Sequence, residues 1–213
     1  MASEASSRER RAAKSETARL ETFADGVMAI AITLLILNVR VPPHAPGRLG
    51  AALLDQWPAY VGYVVSFLTV GIMWVNHHRM FTVIGRTDHW FLMLNVLFLM
   101  GVAFVPFPTT LVADALKAHG HPDLRIAALT YGATMVAMAL LFNAVWLYAS
   151  GRGNLLAADV DVEAERRKGR SYLIGPPIYL LATLLAFVSP AISLGAYAAL
   201  AVFWMLPGSG PGA

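Results

Sequence analysis

The stretch "RLETFADGVMAIAITLLILNV", Arg19 to Val39, is long and apolar enough for a membrane-spanning helix, yet an aspartate, Asp25, lies near the start of its apolar run. A span needs about 20 mainly apolar residues to cross about 30 Å of hydrocarbon. An unpaired carboxylate inside the membrane is costly, so such a side chain faces protein or water and has a partner. The stretch therefore predicts a first span that contacts other spans through Asp25.

Composition indicates that the whole chain is a membrane protein. Of its 213 residues, 57% are hydrophobic and 14% are charged, and the mean hydropathy is +0.59. A soluble domain has about 45–50% apolar and about 25% charged residues. The net charge of +3 does not indicate a nucleic-acid partner, because no basic, aromatic-studded face accompanies it. The chain has no cysteine, which excludes disulfides, thiolate metal ligands and cysteine nucleophiles.

Six apolar runs are long enough to be spans: 22–40, 57–78, 90–112, 124–149, 171–189 and 191–207. The last two are short and joined by a turn at Ser189-Pro190, and the alternative for the last is a partly inserted helix. The predicted domains are a polar cytoplasmic tail over 1–18, a six-span domain over 19–207 and a flexible C-terminal tail over 208–213. The predicted fold class is an all-α membrane protein.

The distribution of lysine and arginine predicts the orientation, because these residues accumulate in cytoplasmic connections. With a cytoplasmic N-terminus, the inner segments hold most of the 16 basic residues, namely Arg8, Arg10, Arg11, Lys14, Arg19, Arg79, Arg86, Arg152, Arg166, Arg167, Lys168 and Arg170. The outer segments then hold Arg40, Arg48, Lys117 and Arg125. Both termini are therefore predicted to be cytoplasmic.

One face of the first span forms a continuous stripe. At about 100° per residue, one arc of the helix, which we call the Ile30 stripe, groups Phe23, Gly26, Ile30, Thr33, Leu34 and Leu37. Asp25 lies about 140° from Ile30 on the same helix. The aspartate and the stripe therefore face different neighbours. Taken alone, such a stripe is most often lipid-facing or part of a bundle core.

Candidate partners for Asp25 lie in "WVNHHRMF", Trp74 to Phe81, at the inner end of the second span. A contact between His77 and Asp25 is geometrically plausible, and Asn95 of the third span also needs a partner within the membrane. Arg19 is placed to close the network. Two interpretations of Asp25 stay open, a hydrogen-bonded clasp between helices and a titrating or ion-binding carboxylate.

Adjacent histidines raise the possibility of a metal site. His77 and His78 diverge by about 100° on a helix, whereas two ligands on one helix usually stand four residues apart. His89 would have to be the third ligand, and nothing in the sequence supports it. We therefore predict hydrogen-bonding histidines, with no metal site, no cofactor and no catalytic residue.

The sequence also resembles a known family. The pattern Arg-x-x-x-Phe-x-Asp-Gly, formed by Arg19, Phe23, Asp25 and Gly26 and continued by "VMAIAITLLILNV", is similar to the opening motif of the transmembrane protein 175 family of potassium channels. The W-x-x-H-H-x-x-F element from Trp74 to Phe81 and the third-span run "LNVLFLMGVAFVPFPTTLV" resemble the same family at the corresponding places. The three elements cover the first half of the chain.

The resemblance implies a bacterial-type potassium channel with six spans, without the TVGYG filter of ordinary potassium channels. First-span helices from four copies of the chain would line a central pore. Ile30 would form the constriction, and Thr33, Leu34 and Leu37 would line the path beyond it. The implied partners are the chain itself in a homotetramer, membrane lipids and the permeant potassium ion, in the cytoplasmic membrane of a bacterium.

The resemblance further implies a group of polar side chains that holds the first helix to its neighbours. This polar clasp comprises Arg19, Asp25, Trp74, His77 and Asn95. The chain departs from the family in having Ala24 where a serine is usual, which removes a hydroxyl, although Thr22 stands nearby. The alternative function is a proton-coupled secondary transporter or proton pathway that uses Asp25 and His77. A membrane enzyme would need a metal or a substrate pocket, for which the sequence gives no evidence.

Overall fold

The computed structural model describes residues 2–118 and 123–206. Within those residues the α-helices are α1 Ala2–Leu34, α2 Leu49–Leu54, α3 Trp57–Phe81, α4 His89–Phe104, α5 Pro106–Lys117, α6 Asp123–Leu147, α7 Val162–Gly169, α8 Gly175–Leu184 and α9 Pro190–Met205. Short 3-10 helices cover Leu35–Asn38, Arg170–Ile174 and Leu185–Phe187, and a π-helical turn covers Tyr148–Arg152. The predicted flexible tail over 208–213 lies outside the described residues.

The prediction of an all-α membrane protein is confirmed. In the described residues the β contact is an isolated antiparallel bridge between Ile84 and Leu156. Within the part of the chain that the structure describes, five helical segments are long and apolar enough to cross a membrane: Ser15–Asn38, Leu49–Phe81, His89–Lys117, Asp123–Arg152 and Val162–Phe187. The sixth predicted span corresponds to α9, which is apolar and has 16 residues.

Prolines set the helix breaks in the third, fifth and sixth predicted spans. Pro106 opens α5, so the third span is interrupted at Val105. Pro176 and Pro177 lie in the first turn of α8, and Pro190 opens α9. A proline has no N–H to donate, but the first turn of a helix needs none, so each proline ends one helix and begins the next.

The first helix is longer than the span predicted from the sequence. α1 runs without a break from Ala2 through the polar N-terminal segment to Leu34, and then narrows into the 3-10 helix Leu35–Asn38. The polar segment is therefore continuous with the membrane helix. The division of 1–18 from 19–207 stays a prediction, drawn from polarity alone.

The bundle is organised around α6, which packs against α4, α5, α8 and α9. Phe98, Met135 and Met138 are fully buried in the core, and the rings of Phe98 and Phe142 meet at 5.7 Å. A Cβ on Gly132 would lie 2.6 Å from the Thr183 side chain, so the glycine permits the close approach of α8 to α6. α1 lies at the side of this bundle, in contact with α3 and α4.

Candidate functional site

α1 has one buried face. Buried apolar side chains recur every three or four residues at Leu20, Ala24, Met28 and Ala31 of α1 and at Leu35, which begins the following 3-10 helix. Four of the five are at most 1% exposed, because this face packs against α3 and α4. The spacing is that of an amphipathic helix, although both faces are apolar here. The rotation of α1 about its axis is therefore fixed by packing within one subunit.

The Ile30 stripe lies on the other face of α1 and is exposed in the isolated subunit. Ile30 and Leu37 are each 61% exposed, Phe23 is 54% exposed and Leu34 is 41% exposed. Gly26 and Thr33 are exposed with them. The stripe therefore faces away from the rest of the described chain and is free to contact another subunit, lipid or water.

Thr33 modifies the polarity of this stripe. Its hydroxyl donates a hydrogen bond of 2.8 Å to the carbonyl oxygen of Ile30, one turn earlier. The hydroxyl proton is thereby turned toward the helix, so the lone pairs of the Thr33 oxygen are left to face outward. Leu37 lies in the 3-10 helix, in which residues three apart are aligned, so it stands directly above Leu34.

Asp25 is joined to α3 through Trp74. The indole N–H of Trp74 donates to Oδ1 of Asp25 at 2.9 Å. The direct hydrogen bond to Asp25 is therefore made by Trp74, not by His77 as the sequence suggested. Asp25 is half-buried and Trp74 is 42% exposed, so the pair lies at the edge of the interface between α1 and α3.

His77 and Asn95 form a second, separate pair in the core. Nε2 of His77 lies 3.1 Å from Oδ1 of Asn95, and Nδ2 of Asn95 donates to the carbonyl oxygen of Phe91 at 2.8 Å. Because the amide nitrogen faces a carbonyl, the amide oxygen faces His77, so Nε2 of His77 is the donor. The ring of His77 stacks on Phe81 and Phe98 at centroid distances of 4.5 and 5.8 Å. This pair links α3 to α4.

The remaining predicted member of the polar clasp does not join it. Arg19 is exposed and makes no hydrogen bond or ion pair within the part of the chain that the structure describes. The polar clasp is therefore present as two pairs, Trp74 with Asp25 and His77 with Asn95, in the isolated subunit.

One contact between α1 and α3 was not predicted from the sequence. Nδ1 of His78 lies 2.9 Å from Oε1 of Glu21, and the His78 ring stacks on Trp74 at 6.0 Å. Glu21 and Asp25 are four residues apart on α1, and Trp74 and His78 are four residues apart on α3. Residues at this spacing lie on the same face of a helix, so the antiparallel helices form two contacts one turn apart, Asp25 with Trp74 and Glu21 with His78. The four-residue spacing on both helices was the feature of the sequence from which this contact could have been predicted.

Ala24, which stands where the family usually has serine, faces the interior of the protein. Ala24 is fully buried, so a hydroxyl at this position would have lain inside the protein. Thr22 does not replace it, because Thr22 is exposed and its hydroxyl donates to the carbonyl oxygen of Ala18 at 2.8 Å.

The histidines do not converge on a metal site. Among the side chains that the structure describes, 15–118 and 123–206, no three of histidine, cysteine, aspartate or glutamate are placed to hold a metal ion. His77 faces Asn95, His78 faces Glu21, and the exposed His89 ring lies against Trp90. His77 and His78 thus make contacts between helices, whereas His89 makes a ring contact with its neighbour on α4.

The fold and the site together define a multi-pass α-helical membrane protein. Its first helix leaves one apolar face uncovered and is hydrogen-bonded to α3 on another side through Asp25 and Trp74, and a buried pair, His77 and Asn95, joins α3 to α4. A family model described as "Endosomal/lysosomal potassium channel TMEM175" matches residues 19–106. A potassium channel of Chamaesiphon minutus is 43% identical over 196 residues, covering 91% of this chain and 95% of that protein. A potassium channel of Streptomyces collinus is 46% identical over 190 residues, covering 89% and 91%.

A solved structure agrees with these relatives. The crystal structure of a lysosomal potassium-selective channel TMEM175 homolog from Chamaesiphon minutus matches with a TM-score of 0.78 and 42% sequence identity, covering 89% of this chain and 96% of that one. The chain belongs to the TMEM175 family. This family consists of ion channels and not of enzymes, so the resemblance found in the sequence is confirmed.

Proposed function

We propose that this protein is a potassium channel in which four copies of the chain surround a pore lined by α1. The observation that carries the proposal is the exposure of the Ile30 stripe on a helix whose opposite face is closely packed. The similar proteins of Chamaesiphon minutus and Streptomyces collinus are named potassium channels, which supports potassium as the permeant ion.

The constriction would be a ring of four Ile30 side chains. Water is poorly stabilised in a narrow apolar ring, so such a ring can close by dewetting and passes an ion only when the ion sheds part of its hydration. Potassium holds its water less tightly than sodium does, and divalent cations hold theirs far more tightly. An Ile30 ring therefore favours potassium by the cost of dehydration.

Thr33 supports the same selectivity from the next turn of the helix. The hydroxyl proton of Thr33 is already donated to the Ile30 carbonyl, so its oxygen presents acceptor lone pairs to the pore axis. Four such oxygens would partly replace the water that an ion loses at the Ile30 ring. Leu34 and Leu37 continue the apolar wall.

Within this proposal the polar clasp is structural. Asp25 is hydrogen-bonded to Trp74 and lies on a different side of α1 from the stripe, so its carboxylate does not line the pore. Its role is to hold α1 against α3 while the stripe faces the axis. The competing proton-coupled transporter would instead require Asp25 and His77 to exchange a proton, and these two side chains are bonded to different partners.

The protein would lie in the cytoplasmic membrane of a bacterium with both termini in the cytoplasm. The excess of lysine and arginine at the end of the bundle that carries α7 and the start of α1 supports this orientation. Membrane lipids would cover the outward faces of the tetramer.

The experiment that tests the proposal is single-channel recording of the purified protein in planar bilayers. Mass photometry measures the oligomeric state in the detergent used for purification. We expect tetramers, unitary currents and a reversal potential that follows the potassium gradient when sodium replaces potassium on one side. Monomers without unitary currents, or a saturable flux coupled to protons, would contradict the channel and favour the transporter.

A further inference from the structure

A pocket lies at the end of the bundle that carries α7, close to the residues at which α3 and α6 end. It is lined by the last turn of α3 and the residues that follow it, by Trp146 of α6, by α7 and by Tyr172 of the 3-10 helix Arg170–Ile174. Its volume is about 390 Å³. Ligand sites typically have volumes of about 300–1,000 Å³, so the pocket is large enough for a small organic group.

Two cationic side chains from different helices line this pocket. Arg79 lies in the last turn of α3 and Lys168 in the last turn of α7. The Arg79 guanidinium makes no hydrogen bond or ion pair among the residues that the structure describes. Lys168 donates to Oε1 of Glu165 at 2.6 Å, which leaves two of its three N–H groups for another acceptor. Two cations and one carboxylate give the pocket a net charge of +1, so it favours an anion.

The inner wall of the pocket is apolar and closely packed. Met80 and Trp146 are buried, and the Tyr172 ring meets the Trp146 ring edge-on at 5.8 Å. A Cβ on Gly169 would overlap the indole of Trp146, so the absence of a side chain lets α7 pack directly on this ring. The two cations therefore stand beside an apolar wall. A ligand that suits both is an anionic group attached to a short apolar segment.

The pocket lies at the level where the hydrocarbon of the membrane meets the headgroups. Beside it on the chain, Arg170 is exposed, and so are the apolar side chains of Leu173 and Ile174 a few residues further on. On α3, the exposed Val75 lies one turn before the exposed Arg79. Exposed apolar side chains lie favourably against lipid tails, whereas arginine extends to the headgroup layer. The phosphate of a lipid is therefore at the level of the pocket without leaving the membrane.

We propose that this pocket binds the headgroup of an anionic membrane lipid, with Arg79 and Lys168 donating to its phosphate oxygens. The glycerol carbons would lie against the apolar wall, and the bound lipid would join α3 to α7. A guanidinium and a phosphate form two parallel hydrogen bonds, which makes Arg79 the principal contact. Basic pockets between transmembrane helices on the cytoplasmic side are typical sites for anionic headgroups. Glu165 competes with the phosphate for Lys168 and so weakens the binding.

The test is native mass spectrometry of the delipidated full-length protein in detergent, titrated with phosphatidylglycerol or with phosphatidylcholine of the same acyl chains. We expect one tightly bound phosphatidylglycerol per subunit, with an affinity about fivefold higher than that of phosphatidylcholine, the factor expected for one net positive charge at the membrane surface. Equal affinities would overturn the proposal. Glycerol 1-phosphate at equal concentration should not displace the lipid. Displacement would assign the pocket to soluble phosphates and would overturn the lipid as its ligand.

A pair of arginine variants tests the location. Arg167 is exposed on α7 next to Lys168 but does not line the pocket, so Arg167→Gln and Arg79→Gln change the net charge equally. Arg79→Gln should weaken phosphatidylglycerol binding about tenfold, the factor expected when an exposed charged hydrogen bond is lost. Arg167→Gln should weaken it far less, and Arg79→Lys should retain part of the affinity. Equal losses in the two glutamine variants would show general attraction to the surface and would overturn the site.

A second pair of variants predicts a gain of affinity, which a folding defect does not produce. Glu165→Gln removes the carboxylate from the pocket and releases Lys168 for the phosphate, so phosphatidylglycerol should bind severalfold more tightly. Glu163→Gln is the control, because Glu163 is exposed on the same helix outside the pocket and its loss changes the net charge equally. Unchanged or weaker binding in Glu165→Gln, or an equal gain in Glu163→Gln, would overturn the proposed site.

Discussion

Trp74 donates its indole N–H to Asp25 across the interface between α1 and α3, at 2.9 Å. Asp25 lies near the start of the first membrane span, and this bond gives its carboxylate a donor. The bond is made on the side of α1 that faces away from the Ile30 stripe. The same contact that pairs the acid therefore also sets which face of α1 is left uncovered.

Trp74→Phe keeps an aromatic ring but removes the donor. A hydrogen bond to a charged group is worth about 1.5–3 kcal/mol, and partial exposure of Trp74 places this one at the low end. We expect a lower midpoint of thermal unfolding in detergent and a smaller fraction of tetramer on size exclusion. Trp90→Phe is the control, because Trp90 is 66% exposed and its indole N–H makes no hydrogen bond in the described chain. Equal effects of the two variants would count against the clasp.

Asp25→Asn separates a structural acid from a titrating one. An amide oxygen can still accept the hydrogen bond from Trp74, so we expect the tetramer to assemble and potassium currents to persist. The measurement is unitary conductance over a pH series in planar bilayers. Assembled Asp25→Asn protein without any flux would support the proton-coupled alternative.

Ile30→Ala removes most of the side chain proposed to form the constriction. A wider ring would let ions pass with more of their water, so we expect larger conductance and a lower permeability ratio of potassium to sodium. Reversal potentials under bi-ionic conditions measure this ratio. Ile36→Ala is the matched control, because Ile36 is also exposed, in the 3-10 helix that continues α1, but lies outside the stripe. Unchanged permeability ratios in Ile30→Ala would refute the assignment of the constriction.

Thr33→Val keeps the branched shape and deletes the hydroxyl that is bonded to the Ile30 carbonyl. The oxygen acceptor next to the constriction is lost, so we expect lower potassium conductance with an intact tetramer. Thr22→Val should leave the conductance unchanged, since Thr22 makes the same kind of bond to Ala18 outside the stripe. Wild-type conductance in Thr33→Val would show that the hydroxyl plays no part in permeation.

Asn95→Leu should destabilise the subunit more than the loss of an exposed ion pair does. Asn95 is fully buried, and its removal leaves the His77 N–H without an acceptor, which costs about 1–3 kcal/mol. The exposed pair between His78 and Glu21 is worth about 0–1 kcal/mol, so Glu21→Gln should have little effect. Thermal unfolding in detergent compares the two variants. A larger loss of stability in Glu21→Gln would contradict this ranking.

Sequence alone predicted the spans, because run length and apolarity are set locally along the chain. The break at Pro106 has an equally local cause, since proline cannot donate within a helix, although the third span was predicted as one run over 90–112. Sequence alone did not predict which side chain meets Asp25. Trp74, His77 and His78 are neighbours on α3, and the choice among them depends on the rotation of α3, which burial of the His77 ring between Phe81 and Phe98 determines.

The sequence was also unable to show the full extent of α1. Polarity separates residues 1–18 from the span, but a helix can continue through a change of polarity, as α1 does from Ala2 to Leu34. The pocket beside Arg79 was not predictable either, because it depends on how α3, α6, α7 and a 3-10 helix come together. The sequence of a single helix does not determine a cavity that several helices form together.

The shortness of α9 has a consequence for the surrounding bilayer. Its 16 residues rise about 24 Å, against about 30 Å of hydrocarbon. Ile192, Val202 and Phe203 are about half exposed in the isolated subunit, so lipid tails would meet this mismatch wherever the membrane borders α9. Tails in that position would have to bend or shorten, at a fraction of a kcal/mol per Å. The protein would therefore thin the bilayer unevenly around its rim, and acyl-chain length becomes a variable to which its stability responds.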